Sequence, residues 1–291
     1  MNYTIENDRI RVTVSTNGAE LQSLSDKKSS TEYMWIGDPE FWGKKSPVLF
    51  PVVGTLKSNT YFYNHKSYNM NRHGFAREKD FELKEQSETS LLFCIKNDES
   101  TLAIYPFEFE FSILYSIHHQ ELSVTYIVKN TGDDDLLFSV GGHPAFKVPI
   151  FEGDTYNDYI LKFNQKETIG RWPISKDGLI ERTQTPLLFD SDTIHLKKEL
   201  FYKDAIVLKN LKSQSVKLLS TNNNCGIGFN FASFPYLGIW AAKDADFVCI
   251  EPWCGIADSI DSNQLLVNKE GINQLSANCL WERKWTVSII D

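Results

Sequence analysis

Strict alternation of apolar and polar residues is the feature of this sequence that most restricts its fold. Every second residue is apolar from Phe107 to Ile117, and Glu108 and Glu110 fall on the opposite face. After His118-His119-Gln120 the alternation resumes from Leu122 to Val128. A period of two residues is typical of a β-strand with one buried face. The two runs therefore predict an antiparallel hairpin.

The same period recurs along the rest of the chain. Leu136, Phe138 and Val140 predict a third strand that continues the hairpin. Other alternating runs predict further strands at 10–14, 91–95, 216–218 and 285–289. No helical period extends beyond a turn or two. The sequence therefore predicts an all-β protein.

Composition and the absence of linkers favour one large domain. Apolar residues make up 42% and charged residues 23% of the 291 residues, as in globular proteins with a substantial core. No tract rich in proline, glycine or serine divides the chain, and no repeat is present. Many strands in one domain must close into a barrel or pack as sheet on sheet. We predict a large antiparallel sandwich that comprises residues 1–291.

The net charge, the first residues and the lengths of the apolar stretches restrict the partners and the location of the protein. A formal net charge of −8 argues against nucleic acid, which requires a basic surface. The first residues form no secretory signal, and no apolar stretch is long enough for a membrane helix. We therefore expect a cytoplasmic protein that binds neither nucleic acid nor membrane. The five cysteines include no C-x-x-C pair, which predicts neither a disulfide framework nor a thiolate zinc site.

Three segments differ from ordinary strand and turn sequence. They are Asn71–Arg77, Gly141–Phe146 and Cys249–Gly255. Each has an ordinary interpretation when taken alone, because single histidines are usually structural and glycine and proline often mark loops. A glutamate before proline is commonly a strand-end charge that faces water.

Taken together, the segments indicate acid–base chemistry. Glycine and proline fix the backbone around His143 at a strand end, where its side chain can face a cleft. Trp253 provides an apolar wall that would raise the pKa of Glu251 toward neutrality. A histidine and a tuned glutamate form a natural pair for general acid–base catalysis.

These segments resemble a known family. His73-Gly74-Phe75-Ala76-Arg77, Gly142-His143-Pro144-Ala145-Phe146 and Glu251-Pro252-Trp253 are similar to signature segments of the aldose 1-epimerase (galactose mutarotase) superfamily, and of its LacX-like branch in particular. Ser46–Gly54 and Leu200–Asp204 match further segments. All five occur in the family's order, and the resemblance covers nearly the whole chain.

The resemblance implies a β-supersandwich fold and interconversion of the α and β anomers of an aldose. By this match, Glu251 takes the proton of the C1 hydroxyl, and His143 protonates the ring oxygen so that the ring opens. His73 hydrogen-bonds the sugar near the reacting end. The chemistry requires no metal and no redox cofactor, because side chains serve both proton transfers.

Further sugar contacts follow from the resemblance with less direct support. Many relatives carry an arginine where this chain has Thr55, and Lys57 is the candidate to replace it. Asp204 matches a position that touches sugar hydroxyls, although a turn carboxylate is an equally good interpretation. Trp253 and Phe75 are candidate platforms for the sugar ring.

An uneven charge distribution suggests the substrate. The stretch Phe41–Arg77 contains no acidic residue but six basic ones: Lys44, Lys45, Lys57, Lys66, Arg72 and Arg77. One interpretation is a solvated basic face. The sharper hypothesis is that these cations hold a phosphate on the sugar, with Arg77 as the first candidate and Lys44 or Lys45 as the second. Related hexose-6-phosphate mutarotases use arginines in comparable segments.

Three other functions are compatible with the sequence. A carbohydrate-binding or sugar-sensing protein without turnover would fit the sandwich and its aromatic residues. A metal hydrolase could use His73, His143 and Glu251 as ligands, although no local ligand spacing supports it. A glycosidase requires a second carboxylate that the sequence does not single out. We expect a small-molecule sugar as the partner of a monomer or dimer.

Overall fold

The computed structural model describes all residues from Met1 to Asp291, and nearly all of its regular structure is β-strand. The one α-helix is α1 (Glu99–Ile104), and short 3-10 turns lie at Lys57–Asn59, Ala76–Glu78, Tyr156–Asp158, Lys198–Phe201 and Leu266–Asn268. The strands are β1 (Asn2–Glu6), β2 (Ile10–Ser15), β3 (Leu21–Asp26), β4 (Val48–Leu49), β5 (Thr60–Tyr63), β6 (Lys66–Asn69), β7 (Glu82–Gln86), β8 (Ser90–Lys96), β9 (Phe109–His118), β10 (Glu121–Asn130), β11 (Leu136–Phe138), β12 (Val140–Gly142), β13 (Ala145–Lys147), β14 (Tyr159–Arg171), β15 (Thr185–His195), β16 (Ile206–Lys209), β17 (Ser215–Ser220), β18 (Gly226–Asn230), β19 (Tyr236–Trp240), β20 (Phe247–Cys254), β21 (Asn273–Leu275) and β22 (Leu280–Ile290).

A nine-stranded antiparallel sheet forms one layer of the protein. Its strand order is β15-β14-β17-β18-β22-β10-β9-β8-β7. The predicted hairpin is β9 and β10, in which Phe111 pairs with Val128 and Ile117 with Leu122. The alternating runs at 91–95, 216–218 and 285–289 lie in β8, β17 and β22 of the same sheet. These predicted strands are confirmed.

The predicted third strand of the hairpin was wrong. Leu136 to Phe138 form β11, which pairs with β21, whereas Val140 belongs to β12 in another sheet. The chain leaves β10 at Asn130, whose side-chain amide donates to the carbonyl oxygens of Asp134 and Leu275, both at 2.8 Å. Alternation reveals which face of a strand is buried, but it does not identify the neighbouring strand.

A second sheet packs against the first. Its order is β16-β19-β20-β12-β4, and β13 pairs with another part of β20. Contacts between the sheets include Phe146 on β13 and Phe229 on β18, whose ring centroids are 5.9 Å apart. A continuous core of 70 buried residues fills the interior. This arrangement confirms the predicted antiparallel sandwich.

The second sheet is covered on both faces, and the two faces have different neighbours. All eight residues of β20 are buried. Val248 and Ile250 belong to the main core, whereas Trp253 belongs to a separate cluster of 8 buried residues on the other face. That outer face carries the candidate site. None of the helical segments combines the length and the apolar character required to span a bilayer.

Candidate active site

Strand register brings His143 and Glu251 together. Gly141 pairs with Trp253 and Ala145 pairs with Cys249, so the same register places His143 directly opposite Glu251. Nε2 of His143 lies 3.3 Å from Oε2 of Glu251. Two segments separated by about a hundred residues in sequence therefore meet as a cross-strand pair.

Proline residues loosen the sheet on both sides of this pair. Pro144 and Pro252 follow His143 and Glu251 directly, and neither has a backbone N–H to donate. On the Pro144 side, the N–H of Ile250 donates to the carbonyl oxygen of Pro144 at 3.2 Å. Since hydrogen-bonded and non-hydrogen-bonded pairs alternate, His143 and Glu251 occupy a non-hydrogen-bonded position, where side chains approach most closely.

Two glycines leave room for the Trp253 indole beside the pair. Gly238 lies opposite Glu251 on the other neighbouring strand, β19. A Cβ atom at Gly238 would lie 2.4 Å from the Trp253 ring, and one at Gly141 would lie 2.6 Å from it. Glycine is required at both positions because the indole lies across the neighbouring backbone.

Burial favours the uncharged form of both members of the pair. Together with the smaller effect of the positive charges of Arg72 and Arg77, it lowers the pKa of His143 to about 3. Burial also raises the pKa of Glu251 well above its usual range, against the opposing influence of Arg72. The Trp253 indole N–H favours the ionised carboxylate as well, although its Nε1 lacks full hydrogen-bond geometry. Burial therefore favours a pair in which the shared proton resides on Glu251 and the His143 ring is neutral.

His73 occupies a constrained turn next to the pair. Its backbone is left-handed, with φ of 70°, and Gly74 follows with φ of 71° in direct contact with the Phe50 carbonyl. Nδ1 of His73 accepts a hydrogen bond of 3.1 Å from the backbone N–H of Gly54. The other ring nitrogen, Nε2, lies 3.1 Å from Nε of Arg72, whose N–H points toward it as a hydrogen-bond donor.

Both ring nitrogens of His73 therefore face N–H donors. A neutral imidazole carries a proton on one nitrogen, so only one of these two contacts can be a hydrogen bond at a time. Burial and the charge of Arg72 lower the pKa of His73 well below its usual value, so this ring stays neutral. Its centroid is 5.8 Å from that of His143.

A cavity of about 270 Å³ opens onto these groups. This volume is at the small end of the range for ligand sites and fits one sugar ring better than an oligosaccharide. Its lining combines the acid–base residues with charged and apolar side chains: Trp42, Pro47, Gly54, Arg72, His73, Arg77, His143, Ile174, Gly178, Ile180, Asp204, Ala205, Val207, Trp240, Glu251, Trp253 and Ala257.

Two tryptophans of this lining were missed by sequence reasoning. The Trp42 ring lies over the His143 ring, with centroids 4.9 Å apart and planes at 31°. Trp240 meets His143 edge to face, at 5.5 Å. The loop that carries Trp42 is held by Glu20, whose Oε1 accepts the backbone N–H groups of Lys45 and Ser46. The available signal was the position of Trp42 at the start of the acid-free stretch.

The structure divides the predicted sugar contacts into two groups. Arg72, Arg77, Asp204 and Trp253 line the cavity with the three acid–base residues. Asp204 has a left-handed backbone with φ of 76°, and its carboxylate lies 4.0 Å from the Arg72 guanidinium.

The other three predicted contacts lie outside the cavity lining. The Lys57 ammonium donates to the Ser262 carbonyl at 3.2 Å, and the Lys45 ammonium donates to that of Gln22 at 3.2 Å. Phe75 is buried in the main core, in edge contact with Phe50.

The residues considered for a metal hydrolase do not all converge. His73 is an unsuitable ligand, because its Nδ1 faces the Gly54 N–H and its Nε2 faces Nε of Arg72, each at 3.1 Å. The groups that do converge are His143, Glu251 and Cys249, whose potential ligand atoms all lie within 4.8 Å of one another. The sequence analysis assigned no role to Cys249.

Comparisons with known proteins agree with this architecture. The family model described as aldose 1-epimerase matches residues 1–264. The protein LacX, chromosomal, of Lactococcus lactis subsp. lactis is 30% identical over 300 residues, which cover 100% of both chains.

Two solved structures extend the similarity to three dimensions. A galactose mutarotase related enzyme from Lactobacillus acidophilus is 35% identical, with a TM-score of 0.95 over 100% of this chain and 98% of that one. A galactose mutarotase-like protein from Lactobacillus casei is 29% identical, with a TM-score of 0.92 over 99% and 100% of the two chains. With its fold, its family match and these relatives in agreement, the chain belongs to the aldose 1-epimerase family, in its LacX-like branch.

Proposed function

We propose that this protein interconverts the α and β anomers of a hexose, with Glu251 and His143 as the acid–base pair. The observation that carries the proposal is their buried contact of 3.3 Å at the wall of a cavity sized for one sugar ring. A protein that only binds sugar has no need for two titratable groups buried side by side, because burial of such groups is costly.

The single proton of the pair is sufficient for a complete cycle. Ring opening requires ionised Glu251 and protonated His143, which arise when the proton of Glu251 moves across the contact. Glu251 then takes the proton of the C1 hydroxyl while His143 gives its proton to the ring oxygen, which yields the open-chain aldehyde. This step returns the pair to neutral His143 and protonated Glu251, the form that burial favours.

Ring closure uses the same groups in reverse. After rotation about the C1–C2 bond, Glu251 protonates the aldehyde oxygen and His143 accepts the proton of the attacking hydroxyl. No proton is gained from or lost to solvent over the cycle. The Trp42 ring over His143 favours the transient imidazolium, because a cation is attracted to the face of an indole.

Neighbouring groups provide orientation. His73 and Arg72 line the cavity side by side, and the remaining guanidinium N–H groups of Arg72 suit a sugar oxygen near the reacting end. Asp204 offers a carboxylate to sugar hydroxyls on the same side as Arg72. The apolar surface of Trp253 supports the sugar ring.

The proposal extends to a phosphorylated or otherwise anionic hexose. Of the six basic residues in the acid-free stretch, only Arg72 and Arg77 line the cavity. One Arg77 nitrogen, Nη2, donates to the Arg72 carbonyl at 3.0 Å, and its Nε lies 3.8 Å from Glu78. The guanidinium retains further donors for an anion, and its planar shape matches phosphate oxygens.

Anomer exchange measured by NMR tests the proposed function. The purified protein is added to equilibrated free hexoses and hexose 6-phosphates, and magnetisation transfer between the α and β C1 signals is followed. We expect exchange above the buffer rate that grows in proportion to protein concentration. Binding without such exchange for any aldose would show that the protein is a sugar-binding module instead.

The substrate proposal has its own test. Arg77→Ala should lower kcat/KM for the phosphorylated hexose at least about tenfold more than for the free hexose, since a charge-assisted contact contributes about 1.5–3 kcal/mol. Lys45→Ala is the matched control because its ammonium lies outside the cavity lining. An unchanged ratio in Arg77→Ala would refute the phosphate contact and leave the anomerase proposal standing.

A further inference from the structure

Strand geometry places a third potential ligand beside the acid–base pair. Cys249 and Glu251 are two residues apart on β20, so both side chains emerge on the same face, opposite His143. The Cys249 thiol, the Glu251 carboxylate and the His143 ring nitrogen all lie within 4.8 Å of one another. The three residues are 0%, 1% and 8% exposed, respectively. Proton transfer to a sugar uses two of these groups and leaves the thiol without a role.

We propose that His143, Cys249 and Glu251 form an inhibitory site for one thiophilic divalent cation of the Zn²⁺ type. Binding of the cation stands independently, whereas the inhibition rests on the proposed function. Sulfur, nitrogen and carboxylate oxygen together are a typical zinc ligand set, and three protein ligands leave a fourth position open.

The distances are close to those that zinc requires. Tetrahedral zinc with bonds of about 2.0–2.3 Å holds its ligand atoms about 3.3–3.6 Å apart. The His143–Glu251 separation of 3.3 Å already matches one edge of that tetrahedron. The thiol distances, which are at most 4.8 Å, exceed the other edges by about 1.2 Å at most. Two of the three ligands, His143 and Glu251, line the sugar cavity.

Unpartnered polar atoms and charge balance support the same site. Oε2 of Glu251 and Nδ1 of His143 are buried without a hydrogen-bond partner. As metal ligands, Glu251 and Cys249 would bind as carboxylate and thiolate, and these two negative charges neutralise a divalent cation. The positive charge of Arg72 opposes the cation, but two negative ligands outweigh it.

A bound cation would stop anomer exchange by occupying both catalytic groups. A Glu251 carboxylate coordinated to a cation is a much weaker base toward the C1 hydroxyl, and a His143 nitrogen coordinated to a cation carries no proton for the ring oxygen. The metal would therefore reduce kcat and would compete with the sugar for the cavity.

Metal titration of the metal-free full chain tests the site. Zn²⁺ binding is measured by calorimetry, and Co²⁺ is used as an optical probe, because a cobalt–thiolate bond gives a charge-transfer absorption. Anomer exchange is then followed against Zn²⁺ concentration and expressed relative to the uninhibited rate of each variant. The key variant is Cys249→Ala. Its matched control is Cys254→Ala, another buried thiol on β20 that lies outside the trio.

We expect one Zn²⁺ per chain at this site and a thiolate signal with Co²⁺. Cys249→Ala should remove that signal and weaken both binding and inhibition more than about tenfold, since even outer-shell partners contribute 10–100-fold. Cys254→Ala should change neither. Equal Zn²⁺ affinity in wild type and Cys249→Ala would overturn the site. Cysteine-dependent Zn²⁺ binding by a protein without anomer exchange would refute the proposed function and leave the metal site intact.

Discussion

His143 is a buried base, so replacing it should change the pH dependence of the protein's stability. Burial, with smaller contributions from the charges of Arg72 and Arg77, lowers its pKa to about 3. In the unfolded chain the pKa of a histidine is about 6.5. Between these two values the unfolded chain binds a proton that the folded protein does not bind. Folding therefore becomes less favourable as the pH falls below about 6.5.

The magnitude follows from the difference between the two pKa values. Each pH unit below 6.5 costs about 1.4 kcal/mol of unfolding free energy, so wild type loses about 2 kcal/mol by pH 5 and almost nothing at pH 7. His143→Asn removes this loss. Relative to wild type, the variant should therefore gain about 2 kcal/mol when the pH is lowered from 7 to 5.

Urea denaturation at pH 7 and pH 5 measures this gain. The difference in unfolding free energy between variant and wild type is determined at each pH. Any packing defect that is independent of pH cancels when the difference at pH 7 is subtracted from the difference at pH 5. The matched control is His195→Asn, which removes an exposed histidine and should not reproduce the gain. If His143→Asn shifts stability by the same amount at both pH values, His143 is not held neutral by burial, and the assignment of the proton to Glu251 fails.

Three further variants test other parts of the structure. Because burial raises the pKa of Glu251, wild type should lose stability as the pH rises above about 4, so Glu251→Gln should gain relative stability in urea between pH 4 and 7. Gly238→Ala should lower the free energy of unfolding by about 1–3 kcal/mol and slow anomer exchange, because its Cβ would displace the Trp253 ring. Lys269→Met should lower the free energy of unfolding by about 3–5 kcal/mol in the same assay, because it leaves Asp258 buried without its 2.8 Å ion pair. A change near zero would contradict a stabilising role of this ion pair.

Local periodicity was sufficient to predict the strand content and the sandwich. The hairpin of β9 and β10 was predicted almost to its ends, because each strand has one core face and one exposed face. The strand at Val140 was assigned to the wrong sheet, because its pairing with β20 joins residues more than a hundred positions apart. Such pairing depends on the packing of the whole chain, and no local pattern encodes it.

The candidate site was predictable where its residues form unusual local sequences. His143 and Glu251 were found because glycine and proline interrupt the strands beside them. Trp42 was missed because, in sequence, an aromatic residue of a loop that packs in the core cannot be distinguished from one that packs over the ring of a site histidine. The opposite error occurred at Phe75, which adjoins a site histidine but packs in the main core. Lys57 follows Gly54 closely, yet its long side chain turns to the Ser262 carbonyl.

The central claim is that Glu251 and His143 act as one proton-transferring unit. The most direct test is a double-mutant cycle on the rate of anomer exchange, with Glu251→Gln, His143→Asn and the double variant, each checked for fold and sugar binding. Each single change should reduce the exchange rate about 10²–10⁴-fold, and the double variant should be little slower than either one. A single variant that exchanges anomers at the wild-type rate, or losses that multiply in the double variant, would contradict the shared-proton mechanism.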